Sequence, residues 1–131
     1  MVLTVGSEAR TRKYLPDLPI TREAELVCAE RGVANDELLA LAPDADAIVA
    51  DAISPVDGRL IEAMPNLKLI HSEGVAFNAI DVEAARARGI AVCNCAGVNA
   101  GTVAEQAVML MLMCLRRALE GDRAVREGRQ I

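Results

Sequence analysis

Glu73-Gly74-Val75-Ala76 brings one glycine and two small side chains together just after an apolar stretch. A turn of this composition can aim successive backbone N–H groups at an anion, making a receptor for a carboxylate or phosphate. The plainer reading is an ordinary strand-to-helix turn. Asn99 closes a second run of small residues, Cys95 to Asn99, ahead of a long apolar segment. Its amide can orient a ligand oxygen or cap the following helix, and capping alone accounts for it. His71 is the single histidine. It alternates with apolar neighbours and has no acid spaced to form a triad, which suits a packed histidine better than a catalyst. G-x-G-x-x-G, P-loop and G-x-S-x-G patterns are absent, and Gly97-Val98-Asn99-Ala100-Gly101 does not cradle a pyrophosphate.

The cysteines Cys28, Cys93, Cys95 and Cys114 lie in apolar surroundings without a C-x-x-C pair; Cys93-Asn94-Cys95 is the closest spacing. With one histidine a zinc site would be almost all thiolate, and the spacing does not support it. Buried free thiols in a reducing cytoplasm, with no metal, are the expectation. A net charge of -5 with scattered basic residues argues against nucleic acid, whose phosphates need a positive surface. Met1 to Gly6 leads into Glu8 and Arg10 rather than an apolar signal segment, so a cytoplasmic location is expected.

The elements that must position these groups alternate. Strands are predicted at Val2 to Val5, Ala24 to Ala29, Ala45 to Ala50, Leu67 to Ser72 and Ile90 to Cys93. Ser7 to Thr21, with Pro16 and Pro19, reads as loop. Asn35 is expected to cap a helix through Leu41. Ser54-Pro55 is expected to open another helix that runs to about Met64. Asp81 caps a third, stopped by Gly89. Strand and helix alternating in this way imply an α/β fold with a parallel sheet, and its ligands sit beyond the carboxyl ends of the strands. The loops leaving the third, fourth and fifth strands are therefore where a site belongs.

From Asn99 onward the chain reads as one long helix. Either Asn99 or Thr102 can cap it, Thr102 with Glu105 having the spacing of a capping box. Ala107 to Leu115 is apolar throughout, nine residues against the ~20 of a membrane span. A helix apolar on every face needs protein cover, so no membrane is expected, and a second copy of the chain is the expected partner.

Several short segments share an order and spacing with a known family. They are Ala45-Asp46-Ala47-Ile48, Pro65-Asn66-Leu67-Lys68, Gly74-Val75, Ile80-Asp81 with Ala84-Ala85-Arg86, and Gly89-Ile90-Ala91-Val92 with Asn94. Gly97-Val98-Asn99, Val103-Ala104-Glu105, Arg116-Arg117, and Asp122, Val125, Arg126 and Gly128 complete the set. From about Ala45 to Arg129 the chain resembles the N-terminal part of the D-isomer-specific 2-hydroxyacid dehydrogenases. The resemblance implies a flavodoxin-like, doubly wound, five-stranded parallel sheet over residues 1–100. It also implies a 101–131 segment leading into an NAD-binding Rossmann domain outside the chain.

In that family the substrate carboxylate is held by backbone N–H groups after the fourth strand. The resemblance therefore assigns Gly74, Val75 and Ala76 to a small 2-hydroxy or 2-oxo acid, Asn99 to orienting it, and Thr102 to contact with NAD. A homodimer through the 102–119 helix is implied as well. Departures are visible: the family's G-V-G-x-D-N-I-D is Gly74-Val75-Ala76-Phe77-Asn78-Ala79-Ile80-Asp81 here, so Ala76 adds a Cβ where a carboxylate approaches, and Gln106 stands where histidine is common. The family's catalytic Arg, Glu or Asp, and His would fall beyond Ile131, so this chain is expected to hold no catalytic residue and to be inactive alone. The competing expectations are a non-catalytic module that binds a small carboxylate or dimerises, and a corepressor-like protein-interaction relative.

Overall fold

The computed structural model describes residues 1–129. They form two compact units, Met1–Ala96 and the residues from Gly97 on. The last two residues of the predicted 101–131 segment lie outside the described residues.

In the first unit, β1 (Val2–Val5), β2 (Leu26–Ala29), β3 (Ala47–Ala50), β4 (Leu69–Ser72) and β5 (Ala91–Cys93) pair in parallel in the order β2-β1-β3-β4-β5. This is the flavodoxin-like order expected from the sequence. Parallel neighbours require crossovers, supplied by α1 (Glu8–Tyr14) with α2 (Pro19–Glu23), then α3 (Asn35–Leu41), α4 (Gly58–Ala63) and α5 (Val82–Ala87). The register aligns one aliphatic row across all five strands, Val27, Leu3, Ile48, Ile70 and Val92. Leu3, Ile48 and Ile70, on the three inner strands, are fully buried, and Leu38 and Ile61 from the helices and Met64 just past α4 pack with them in the core. Burial on both faces is why these strands read as nearly continuous apolar runs.

Local chemistry fixes the helix ends. Asp57 Oδ1 accepts from the Leu60 amide at 2.8 Å, and Asp81 Oδ1 from the Ala84 amide at 2.9 Å, each satisfying an orphan donor of the first turn. Arg88 closes the other end of α4, its guanidinium donating to the carbonyls of Ile61, Met64 and Pro65. Gly89 then takes φ +68°, a left-handed conformation that ends α5 cheaply only as glycine.

Four predicted features are corrected. Ser7 to Thr21 is not loop: Ser7 Oγ caps α1 through the Arg10 amide, and Pro19 opens α2. Neither helix buries a residue, so no apolar period announced them. Asn35 is the first residue of α3 rather than its cap, which is Ala34. The Pro55 helix begins only at Gly58, because Val56 is held extended in a bridge to Ile80. The fourth correction lies in the second unit. The predicted single helix over 102–119 is two, α6 (Ala100–Leu115) and α7 (Ala118–Arg126), parted by Arg117 at φ +50°. Neither Asn99 nor Thr102 makes a side-chain cap; Thr102 is the third residue of α6, so the proposed capping box does not form.

No residue of α6 is buried, and Val103, Met111 and Leu115 are among its well-exposed apolar side chains. No helix among the described residues is long and apolar enough to cross a membrane.

Charges tie the amino ends of three strands. Asp46, ahead of β3, accepts from the Met1 ammonium at 2.9 Å and from Lys68 Nζ, ahead of β4, at 2.7 Å. Lys68 and the Met1 ammonium lower the Asp46 carboxyl to about 2 from an ordinary 3.8. A carboxyl depressed by folding adds stability above its ordinary value and loses it as pH falls through the folded value. The Asp46 contribution should therefore fade between pH 3.8 and about 2. Acid titration followed by circular dichroism should show Asp46→Asn less sensitive to pH in that window than the parent chain. Superimposable acid curves would remove Asp46 from the acid response.

Candidate functional site

The carboxyl ends of β3 and β4 carry most of the buried polar groups of the first unit. Asp51, one residue past β3, is 5% exposed. Its Oδ1 accepts from the amides of Ser54 at 2.6 Å and Ile53 at 3.2 Å, an Asx turn that folds the chain back. Its Oδ2 lies 3.1 Å from Arg31 Nε but outside hydrogen-bond geometry. Burial works against the charge of Asp51, yet the hydrogen bonds from Ser54 and Ile53 and the Arg31 charge outweigh it and hold the carboxyl below its ordinary range. Asp51 is thus a structural anion that braces a turn.

Ser72, the last residue of β4, is fully buried. Its hydroxyl donates to the Ala76 carbonyl at 2.7 Å and accepts from the Gly74 amide at 3.4 Å. The Cys95 amide donates to the Gly74 carbonyl at 2.9 Å, and Asn94 Nδ2 donates to the Val75 carbonyl at 2.7 Å. Three consecutive carbonyls, Gly74, Val75 and Ala76, are thereby captured by the protein. A trans peptide is planar, with N–H opposite C=O, so the N–H groups of Val75, Ala76 and Phe77 point away from those captors. Among the described residues none of the three N–H groups has an acceptor, and the side chains of all three residues are exposed. A run of unpaired backbone donors is an anion receptor.

Gly74 is required by space rather than by φ: a Cβ there would lie 2.7 Å from the Ala52 Cβ. The loop after β4 therefore sits against the loop after β3. A surface cleft of about 670 Å³ between α3 and α4 suits an anion poorly. Asp36, Asp57 and Glu62 line it, and its Arg59 is already paired with Asp36.

Of the residues singled out in the sequence, Gly74, Val75 and Ala76 are together in this loop. Asn99 and Thr102 belong to the second unit, at the start of α6, and both are exposed. The sequence reading missed Ser72 and Asn94, which orient the loop. A buried hydroxyl closing a strand and an amide just past the next strand were the available signals. The expectation of buried thiols is overturned: Cys93 and Cys114 are exposed, and Cys28 and Cys95 are half-buried. An edge strand three residues long and a helix without cover do not bury them. His71 is half-buried, with a cysteine sulfur near each ring nitrogen.

Parallel sheets of this strand order take their ligands beyond the carboxyl ends of the strands, and the loop after β4 lies there. Residues 2–121 match the catalytic domain of the D-isomer specific 2-hydroxyacid dehydrogenases, and the chain belongs to that family. Its relatives include the D-3-phosphoglycerate dehydrogenase of Archaeoglobus fulgidus, 41% identical over 98 residues, which covers 75% of this chain and 19% of that protein. Another is the hydroxypyruvate reductase of Thermotoga maritima, 35% identical over 129 residues, covering 92% of this chain and 42% of the relative. Among solved structures, the NAD-dependent formate dehydrogenase of Staphylococcus aureus in complex with NAD superposes with a TM-score of 0.69 at 30% identity, over 99% of this chain and 41% of that one. The chain thus spans less than half the length of these proteins.

Gly74→Ala should displace the loop, because both clashing atoms are Cβ carbons that no rotamer change can move. We expect a cost of about 1–3 kcal/mol, the usual penalty of overpacking, read as a lowered urea midpoint. An unchanged midpoint would mean the loop has slack at this point.

Proposed function

We propose that this chain is the substrate-holding part of an NAD-dependent D-2-hydroxyacid dehydrogenase. The observation that carries the reading is the set of three unpaired N–H groups at Val75, Ala76 and Phe77, aimed outward by their captured carbonyls. A 2-hydroxy or 2-oxo acid presents a carboxylate that two adjacent N–H groups can receive. Neutral amides also fix that anion without lining the site with cations, in a chain whose net charge is -5. Holding the carboxylate orients C2 and gives an entropic advantage to the reaction there. Gly74 lets the loop approach Ala52, Asn99 orients the substrate, and Thr102 offers a hydroxyl toward the cofactor.

The described residues do not by themselves build a dinucleotide cradle. Gly97 has φ +78°, but no glycine-rich turn joins a strand to a helix here. In this reading NAD is held mainly by a domain outside these residues, which also carries the proton-transferring groups. When bound, NAD supplies the hydride acceptor or donor for C2. The half described here binds and orients the acid. Exposed apolar side chains along α6 support a homodimer through residues 102–119, and the free thiols suit a cytoplasmic setting.

Titration with a panel of 2-oxo acids, followed by amide NMR, should shift the Val75, Ala76 and Phe77 N–H signals saturably, while the corresponding primary amides should not. Asn94→Ala frees the Val75 carbonyl and should weaken binding about tenfold, equivalent to ~1.4 kcal/mol. Shifts confined to other residues would refute the assignment of the loop. Sedimentation of the chain at micromolar concentration should give a dimer; a clean monomer would sink the proposed interface.

A further inference from the structure

A second group of reactive side chains occupies the carboxyl ends of β4 and β5. His71 Nδ1 lies 3.1 Å from Cys93 Sγ, and His71 Nε2 lies 3.6 Å from Cys95 Sγ. The Cys95 sulfur is also 3.7 Å from the Ser72 carbonyl, to which its S–H donates. That donation fixes the rest of the chain of protons. With its own hydrogen committed to Ser72, Cys95 can only accept at sulfur, so Nε2 carries the imidazole hydrogen and points it at Cys95. A neutral imidazole has one N–H and one lone pair, so the lone pair sits on Nδ1 and faces the Cys93 thiol. Nucleophile, base and orienting group thus stand in the order that activates a nucleophile elsewhere.

Cys93 is exposed, unlike the half-buried Cys95. It lines a pocket of about 160 Å³ together with Phe77, Val82, Val92 and Asn94. The volume is well below that of a drug-sized site and offers room for one ring or a short aliphatic arm. Among the described residues no carboxylate pairs with His71. Its ring therefore serves the two sulfurs alone.

We propose that Cys93 is a nucleophilic thiol, with His71 as its general base and Cys95 as the positioning residue of that base, and that it exchanges with low-molecular-weight disulfides whose apolar arm enters the adjoining pocket. Nδ1 takes the Cys93 proton as sulfur attacks one sulfur of the disulfide. A bond forms between Cys93 Sγ and that sulfur, the original S–S bond breaks, and the departing thiolate takes the proton from His71 as a free thiol. One disulfide and one thiol enter, one mixed disulfide and one thiol leave, and no external oxidant is needed. A free thiol is only a few per cent ionised at neutral pH, so a base can raise its rate by at most about thirtyfold.

The test is the reaction of the chain with dithiodipyridine at neutral pH, with a short unstructured cysteine peptide, blocked at both ends, as the unassisted reference and peptide mass mapping to locate the product. Cys93 should carry the first mixed disulfide and form it about tenfold faster than the reference, within the ceiling set by thiol ionisation. Cys93→Ser should abolish the fast phase. His71→Ala should bring it to the reference rate, and added imidazole should restore it, which a purely structural histidine would not allow. Cys95→Ala should slow it, and Cys95→Ser, whose hydroxyl keeps both donor and acceptor, should recover it. A Cys93 no faster than the reference in the parent chain overturns the proposal without any variant. Undiminished rates in His71→Ala, or failure of imidazole to rescue a folded His71→Ala chain, overturn it as well.

Discussion

The loop after β4 depends on one accounting rule: a carbonyl near the protein interior must find a donor. Ser72, Asn94 and the Cys95 amide supply three donors to three successive carbonyls. Satisfying the carbonyls leaves the opposite ends of the same peptides facing out. The three unpaired N–H groups are therefore a by-product of pairing the carbonyls, arranged without a charged side chain and held by bonds made on the other side of the backbone. Both sides need the parallel register, since Ser72 ends β4 while Asn94 and Cys95 follow β5, the strand beside it.

The sheet has two edges of different chemistry. At the amino edge, the Met1 ammonium, Asp46 and Lys68 join β1, β3 and β4 through exposed or half-exposed charges, pairs that are individually weak in water. At the carboxyl edge, Asp51 and Ser72 are buried, and Asp51 Oδ1 and the Ser72 hydroxyl are paired with backbone amides and a carbonyl. Polar groups are costly to bury unless paired, so the carboxyl edge holds a shape that the amino edge does not have to hold. The strand order adds the rest, because its reversal between β1 and β3 opens the sheet at the end where these loops lie.

The α/β alternation was legible because buried strands advertise themselves as Ala, Val and Ile runs, and because Asp81 and Gly89 mark helix ends by simple stereochemistry. The turn at Gly74, Val75 and Ala76 was legible too, from small residues following an apolar run. What orients it was not: Asn94 acts across 19 residues of chain, and Ser72 looked like any polar residue ending a strand. Helices α1 and α2 escaped notice because they bury nothing, leaving no period to detect. The break at Arg117 was hidden for a different reason. A left-handed arginine has no signature in the sequence, and the Arg116-Arg117 pair stood out as part of the family pattern. The exposure of Cys93 followed from β5 lying at the sheet edge, a fact of topology rather than of composition.

The contact between Gly74 and Ala52 also constrains how this chain can change over generations. A side chain at 74 meets a methyl group at 2.7 Å, and the only residue smaller than alanine is glycine. Position 74 can therefore accept a Cβ only after position 52 has given one up. The two positions form an ordered pair in which one substitution opens the way for the other, and the reverse order passes through a strained intermediate.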